Sequence, residues 1–156
     1  MSLKIGVIGA GGMLQYHHAG FVKAGAEVVA VCDMNEEAAK AAADKYGVST
    51  TYTDVAEMLS DSSLDAVSII VPNKFHAPLA IQCLNAGKHV FCEKAMARNL
   101  EDVKRMADTH YSTGKILQIG HQRMFDPRYL KALELVNAGE IGRITQMRAY
   151  WHRNND

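Results

Sequence analysis

The chain begins with an apolar run and a cluster of glycines, Lys4-Ile-Gly-Val-Ile-Gly9-Ala-Gly11-Gly12. The first residues of this stretch are apolar on both faces, as in a parallel strand that helices cover on each side. Gly9 then permits a tight turn, and Gly11 lets the backbone approach a pyrophosphate that faces the first N–H groups of the next helix. The stretch therefore predicts a strand, a glycine-rich turn and a helix that together bind a dinucleotide.

A second strand and the aspartate that follows it support this prediction. Residues 27–32 form an apolar strand, and Asp33 follows it about 20 residues after Gly11, the usual spacing for a ribose ligand. The alternative role of Asp33 is to cap the helix predicted over 35–46. A 2′-phosphate would meet the carboxylate, and Met34 and Asn35 supply no compensating cation, so the sequence favours NAD over NADP.

Strand and helix patterns alternate along most of the chain. Parallel neighbours need crossover helices, so this alternation predicts an α/β fold with a doubly wound parallel sheet of the Rossmann type. The pattern changes after Gly120, where we expect a helix from Pro127 and a single strand, Ile144 to Trp151. We interpret residues 1–124 as a dinucleotide-binding domain and residues 125–156 as the start of a truncated second, α+β domain. Strands are predicted at 3–8, 27–32, 65–71, 88–92 and 115–119, and helices at 13–24, 35–46, 54–60, 75–86 and 99–112.

Composition excludes several functional classes. Lys plus Arg and Asp plus Glu number 17 each among 156 residues. The chain therefore lacks the excess of positive charge that would predict nucleic-acid binding. No apolar run is long enough to cross a membrane, and the first strand begins too early to leave room for a signal sequence. The three cysteines are scattered over predicted strands and a helix. They are typical of reduced core thiols in a cytoplasmic protein and lack the spacing of a metal site.

A lysine lies where ligands of such sheets bind. Open α/β sheets bind ligands at the carboxyl ends of their strands, and Glu93 and Lys94 directly follow the strand predicted at 88–92. A lysine within reach of a reacting hydroxyl can transfer its proton, although a lysine after a strand is usually only solvated. Glu93 either holds this amine or forms a surface pair.

Six motifs follow one another along the chain. They are Gly6-Val-Ile-Gly9-Ala-Gly11-Gly12-Met13, Val31-Cys-Asp33, Val71-Pro72-Asn73 with His76, Gly87-Lys-His-Val-Phe-Cys-Glu93-Lys94, Gly120 with Arg123 and Phe125, and Gly139-Glu-Ile-Gly142. In this order they resemble the Gfo/Idh/MocA oxidoreductases over nearly the whole chain. The resemblance implies a two-domain NAD(P)-dependent dehydrogenase that acts on a sugar, an inositol or a related polyol. We expect a homo-oligomer without nucleic-acid or membrane partners.

The resemblance also implies roles for individual residues. Lys94 resembles the catalytic lysine of the family and Asp33 its ribose ligand, while Asn73 and Glu93 correspond to neighbours of the nicotinamide and its ribose. The family's second-domain aspartate and histidine have no counterpart here. The expected cofactor-binding set is Gly9, Gly11, Gly12, Met13, Asp33, Val71, Pro72, Asn73, His76, Glu93 and Lys94.

Two positions depart from the family pattern. Leu14 replaces the third glycine of the turn, so the first helix either stands off the sheet or needs a small residue opposite. Ala95 replaces the proline that usually follows the lysine, and we expect a trans peptide bond there because a cis bond before alanine is costly. Met106, Leu130 and Leu133 occupy positions with the spacing of an apolar helix face, so we expect their side chains in the core.

Three functions are compatible with these features. The first is a dehydrogenase that transfers hydride between NAD and a polyol. The second is a redox-neutral glycosidase or epimerase that oxidises its substrate transiently with tightly held NAD. The third is a binding module that senses a dinucleotide without turnover. His17, beside the glycine turn, is either a cofactor contact or a core histidine.

Overall fold

The computed structural model describes residues 2–150 and 152, and the chain forms two compact units, one ending at Gly120 and one beginning at His121. The first unit contains a parallel six-stranded sheet of order β3-β2-β1-β4-β5-β6 with helices between the strands. The predicted doubly wound Rossmann-type sheet is therefore confirmed. The strands are β1 Lys4–Ile8, β2 Glu27–Cys32, β3 Thr50–Tyr52, β4 Ala66–Ile69, β5 His89–Cys92 and β6 Leu117–Ile119.

The sheet has an apolar core on each of its faces. Within β1, Val7 pairs with Val31 of β2 and Ser68 of β4. Successive side chains of a strand point to opposite faces, so Val7 and Val31 join one core cluster while Ile8 and Cys32 join the other. Because both faces of the sheet are buried, the strand sequences are apolar at successive positions.

Helix ends follow local sequence signals. The side chain of Asn35 accepts a hydrogen bond from the Ala38 N–H at 3.2 Å and caps α2 (Glu36–Tyr46), whose C-cap is Gly47 with φ of +69°. Asn99 caps α5 (Leu100–Thr113) in the same way, accepting from the Asp102 N–H at 2.8 Å. The helices are α1 Leu14–Lys23, α2 Glu36–Tyr46, α3 Val55–Leu59, α4 His76–Asn85, α5 Leu100–Thr113 and α6 Pro127–Asn137, with 3₁₀ turns at Asn73–Phe75 and Gln122–Phe125.

One strand was not predicted, and one predicted strand is wrong. The edge strand β3, Thr50–Tyr52, has only three partly polar residues and gave no recognisable strand pattern. The strand expected from Ile144 to Trp151 is wrong over residues 144–150, which form no strand, and Trp151 lies outside the described residues. A strand needs a partner for its backbone hydrogen bonds, and the described residues provide none for this segment.

The expected core residues divide between the two units. Met106 is fully buried in the first unit, whereas Leu130 and Leu133 in α6 are 50% and 56% exposed, so the expectation for these two is wrong. Leu14 is buried in the cluster that also contains the small residue Ala39 of α2. Helix α1 thus accommodates the missing glycine by inserting this leucine into the core. No helix formed by residues 2–150 is long and apolar enough to span a membrane.

Candidate functional site

The glycine turn after β1 fits closely against the neighbouring strand end. Gly9 has φ of +106°, and a Cβ on it would lie 3.0 Å from the carbonyl oxygen of Ile70 and 3.1 Å from the side chain of Val71. Its N–H donates to the carbonyl of Cys32 at 2.8 Å. Both the backbone conformation and the contacts therefore require glycine at this position.

The next residues of the turn form an open cradle of N–H groups. A Cβ on Gly11 or Gly12 would meet no atom within 4 Å. Within the described part of the chain, the N–H groups of Gly11, Gly12 and Met13 have no acceptor. They surround the beginning of α1, where the helix dipole is positive. This arrangement fits the diphosphate of a dinucleotide.

Asp33 holds this turn against the end of β2. Its Oδ2 accepts from the Ala10 N–H at 2.8 Å, and its Oδ1 accepts from the Asn35 N–H at 2.9 Å. Because the side chain of Asn35 caps α2, the alternative role of Asp33 as that N-cap is wrong. The carboxylate is partly exposed, and each oxygen can accept a further hydrogen bond.

An apolar pocket lies beside Asp33. It has a volume of about 240 Å³ and extends from the glycine turn to the loop after β4. Met34, which is 88% exposed, forms part of its wall, together with Val71, Pro72 and Phe75. The predicted residues Val71 and Pro72 are thus brought next to Asp33, and the pocket suits a flat apolar group such as a nucleobase.

His76 links two loops at the carboxyl edge. The ring is 1% exposed, with Nδ1 at 2.7 Å from the carbonyl oxygen of Ala95 and Nε2 at 2.9 Å from that of Val71. Both ring nitrogens thus lie within hydrogen-bond distance of backbone carbonyl oxygens, and the ring lies between the loops after β4 and β5. Asn73, by contrast, is exposed at the start of the 3₁₀ turn that follows β4.

Lys94 lies exposed after β5. Its N–H donates to Glu93 Oε2 at 3.0 Å, and within residues 2–120 its ammonium group forms no hydrogen bond or ion pair. The Lys94–Ala95 peptide bond is cis, so the expected trans bond is wrong. Hydrogen bonds flank this bond on both sides, from the Lys94 N–H to Glu93 and from His76 to the Ala95 carbonyl.

A buried polar cluster beneath Lys94 was missed in the sequence. His17 Nε2 lies 3.1 Å from Glu93 Oε1, and His17 Nδ1 lies 3.1 Å from Ser68 Oγ. These residues are far apart in the chain, which is why spacing did not reveal them. One signal was available: His17 lies three residues after the buried Leu14 and so shares its inward helix face.

Comparison with known proteins identifies the family of this chain. Residues 3–121 match the model of the Gfo/Idh/MocA family, described as an oxidoreductase family with an NAD-binding Rossmann fold. The chain is 37% identical over 146 residues to inositol 2-dehydrogenase of Salmonella paratyphi B, covering 91% of this chain and 44% of that protein. It is 35% identical over 142 residues to myo-inositol 2-dehydrogenase of Thermotoga maritima, covering 90% of this chain and 42% of that protein.

Solved structures share the same architecture. Scyllo-inositol dehydrogenase from Lactobacillus casei, crystallised with NAD(H) and scyllo-inositol, has a TM-score of 0.86 and 30% identity, covering 93% of this chain and 44% of that one. The WlbA dehydrogenase from Bordetella pertussis, in complex with NADH and UDP-GlcNAcA, has a TM-score of 0.85 and 29% identity, covering 92% of this chain and 44% of that one. The chain thus spans less than half the length of these relatives. It belongs to the Gfo/Idh/MocA oxidoreductase family and carries that family's NAD-binding Rossmann domain.

Proposed function

We propose that this chain is the cofactor-binding part of an NAD-dependent dehydrogenase that oxidises inositol or a related polyol. The observation that carries the proposal is the order of groups along one edge of the sheet. Asp33 follows β2, the N–H cradle follows β1, and Glu93 and Lys94 follow β5. This is the order in which adenosine, diphosphate and nicotinamide follow one another in NAD.

The width of the sheet supports the same assignment. Strands β2, β1, β4 and β5 are neighbours, and neighbouring strands lie about 4.8 Å apart, so three spacings cover about 14 Å. An extended dinucleotide bound across the cradle therefore has its adenosine beside Asp33 and the adjacent pocket. Its nicotinamide end then faces Asn73, Glu93 and Lys94 on the other side of the cradle.

Lys94 is the proposed proton acceptor. When bound, NAD supplies the hydride acceptor for a carbon that bears a hydroxyl group. Only the neutral amine of Lys94 has a lone pair, and in that form its Nζ would take the proton of the hydroxyl while the hydride of the same carbon passes to NAD. Hydrogen bonds of Glu93 and His76 fix the backbone on both sides of Lys94 and so limit where its amine can reach.

Several features of the whole protein belong to the same proposal. Residues 125–156 would begin the second domain, which would supply most contacts to the polyol, and the assembled enzyme would be a cytoplasmic homo-oligomer. The inositol dehydrogenases among the relatives favour net oxidation of a polyol over the redox-neutral alternative and over a binding module without turnover.

Titration of the chain with NAD and NADP tests the cofactor part of the proposal. We expect NAD to bind at least about tenfold more tightly, because a 2′-phosphate would be repelled by the Asp33 carboxylate. Asp33→Asn keeps a hydrogen-bond acceptor but removes the charge, so it should reduce the difference in affinity between NAD and NADP. Gly11→Ala should weaken both cofactors without lowering the melting temperature, since its methyl group would enter the open cradle. Equal or tighter binding of NADP by the unchanged chain would contradict the role given to Asp33.

Replacement of Lys94 tests the catalytic part. In the complete enzyme, Lys94→Met should lower turnover of a polyol by about 10²–10⁴-fold, the usual contribution of a general acid or base. Affinity for NAD, measured by calorimetry, should hardly change. Turnover that survives the substitution would reject Lys94 as the proton acceptor.

A further inference from the structure

Below the proposed nicotinamide end, three buried side chains form one continuous set of hydrogen bonds. Ser68 is fully buried in β4, while His17 and Glu93 are each 9% exposed. Distances of 3.1 Å separate Ser68 Oγ from His17 Nδ1 and His17 Nε2 from Glu93 Oε1. The other carboxylate oxygen of Glu93 accepts from the Lys94 N–H at 3.0 Å.

Chemistry fixes the direction of these hydrogen bonds. An ionised carboxylate only accepts, so His17 Nε2 must carry a proton and donate it to Glu93. In the neutral imidazole, Nδ1 then holds a lone pair and accepts from the Ser68 hydroxyl. Each group has a partner, and no buried side-chain nitrogen or oxygen among the described residues lacks one. With a neutral imidazole, the three residues therefore form a fully satisfied network in which every donor and acceptor is fixed.

Serine, histidine and a carboxylate are also the groups of a hydrolase triad, but this arrangement cannot act as one. Ser68 is 0% exposed and pairs with Val7 and Phe91 in the middle of the sheet. No substrate carbonyl can approach its hydroxyl, which nucleophilic catalysis requires. The network therefore acts by holding Glu93 in place.

We propose that His17 is a positioning residue: by holding Glu93, it fixes the geometry of the nicotinamide end of the cofactor site. This inference rests on the proposed function. The imidazole is itself fixed, edge-on to the rings of Phe91 at 5.4 Å and Phe21 at 6.1 Å. It holds one oxygen of Glu93, and the other oxygen holds the backbone of Lys94, so α1 determines the geometry after β5.

Loss of the His17 donor should have a local effect. A buried carboxylate without one of its partners turns toward another donor or toward water, because an unsatisfied buried charge is costly. The Lys94 N–H then loses its acceptor as well. The adenosine end depends on Asp33, which has separate partners in Ala10 and Asn35, and should be unaffected.

The test compares two ligands and two matched variants of the full chain. NAD contains both adenosine and nicotinamide, whereas ADP-ribose lacks the nicotinamide. The ratio of the two affinities therefore measures how much the nicotinamide contributes to binding. We expect the unchanged chain to bind NAD more tightly than ADP-ribose. His17→Leu should weaken NAD about tenfold, the effect of one hydrogen bond to a charged group, and leave ADP-ribose unchanged. His17→Gln, which retains a donor near Nε2, should restore most of the ratio.

A second variant and an NMR measurement test the proposal even if His17→Leu does not fold. If His17→Leu does not fold, Ser68→Ala removes only the hydroxyl that selects the tautomer and should lower the same ratio by a smaller factor. The ¹⁵N resonances of His17 in the unchanged chain should show the tautomer protonated at Nε2.

Each outcome has a distinct meaning. Failure of the unchanged chain to bind either ligand would reject the proposed function. Binding of NAD with an affinity ratio that is unchanged in both His17→Leu and Ser68→Ala, or that His17→Gln lowers as much as His17→Leu does, would overturn the positioning role. Equal affinity of the unchanged chain for NAD and ADP-ribose would overturn it too, as would a ring protonated at Nδ1 alone.

Discussion

The two units of the chain differ in how their apolar side chains are placed. In the first unit, both faces of the sheet are covered, and residues such as Leu84 and Met106 are fully buried. In the second, none of residues 121–150 is buried, and Leu133 and Met147 are 56% and 80% exposed. The first unit thus gains stability from tertiary burial, while α6 begins with a side-chain cap from Asp126 and with Pro127 in its first turn.

The reactivity of thiols offers the largest expected contrast between the units. Burial raises the pKa of Cys83 and of Cys92 to about 12, and that of Cys32 to about 11. Only the thiolate attacks a disulfide reagent, so at pH 8 the native cysteines should react up to about 10³-fold more slowly than those of the unfolded chain. Stopped-flow measurements with Ellman's reagent would record both rates.

A cysteine placed in the second unit supplies the matched control. Leu133→Cys should add one thiol that reacts at the rate of an exposed cysteine, since position 133 is open to solvent. Slow reaction of this added thiol would show that α6 is covered in solution. Rapid reaction of all native thiols would contradict the closed core of the first unit.

Leucine truncations should separate the units next most strongly. Leu84→Ala removes a fully buried side chain from the core of the first unit and should lower the free energy of unfolding by about 2–5 kcal/mol. Leu133→Ala removes a similar group from an exposed position and should change it by less than about 0.5 kcal/mol. Urea unfolding followed by circular dichroism would measure both. Similar losses in the two variants would remove the distinction between a packed and an unpacked unit.

The difference between local signals and contacts between distant residues explains which features could be predicted from the sequence. The glycine turn and Asp33 after β2 are local signals, and each lies where its pattern predicts. The strand expected from Ile144 to Trp151 depended on a partner strand, and a local sequence pattern cannot supply a partner. The contacts of His17 with Ser68 and Glu93 span 51 and 76 residues, so only the completed sheet brings them together.

The caps of α5 and α6 offer the smallest and most local test. Asn99 caps α5 with an amide oxygen, which does not titrate. Asp126 caps α6 with a carboxylate that accepts from the Arg128 N–H at 3.0 Å. Hydrogen bonds from the Arg128 side chain, at 2.7 Å and 3.0 Å, are the main reason that the pKa of Asp126 falls to about 2. Acid should therefore weaken the start of α6, whereas the hydrogen bond that the Asn99 amide oxygen accepts from the Asp102 N–H should persist.

The sign of the pH effect follows from the lowered pKa. Because the folded pKa of Asp126 lies below its unfolded value of 3.8, its stabilisation is present above pH 4 and is lost as pH falls through about 2. The carboxyl ¹³C signal of Asp126 should titrate with a midpoint near 2, and amide protection in the first turn of α6 should fall over the same range. Asp126→Asn keeps an acceptor that does not titrate, so its α6 should lose this acid sensitivity. A midpoint near 3.8 in the unchanged chain would mean that Arg128 does not hold the cap in solution, and α6 would then lack the local support that distinguishes it from the packed helices.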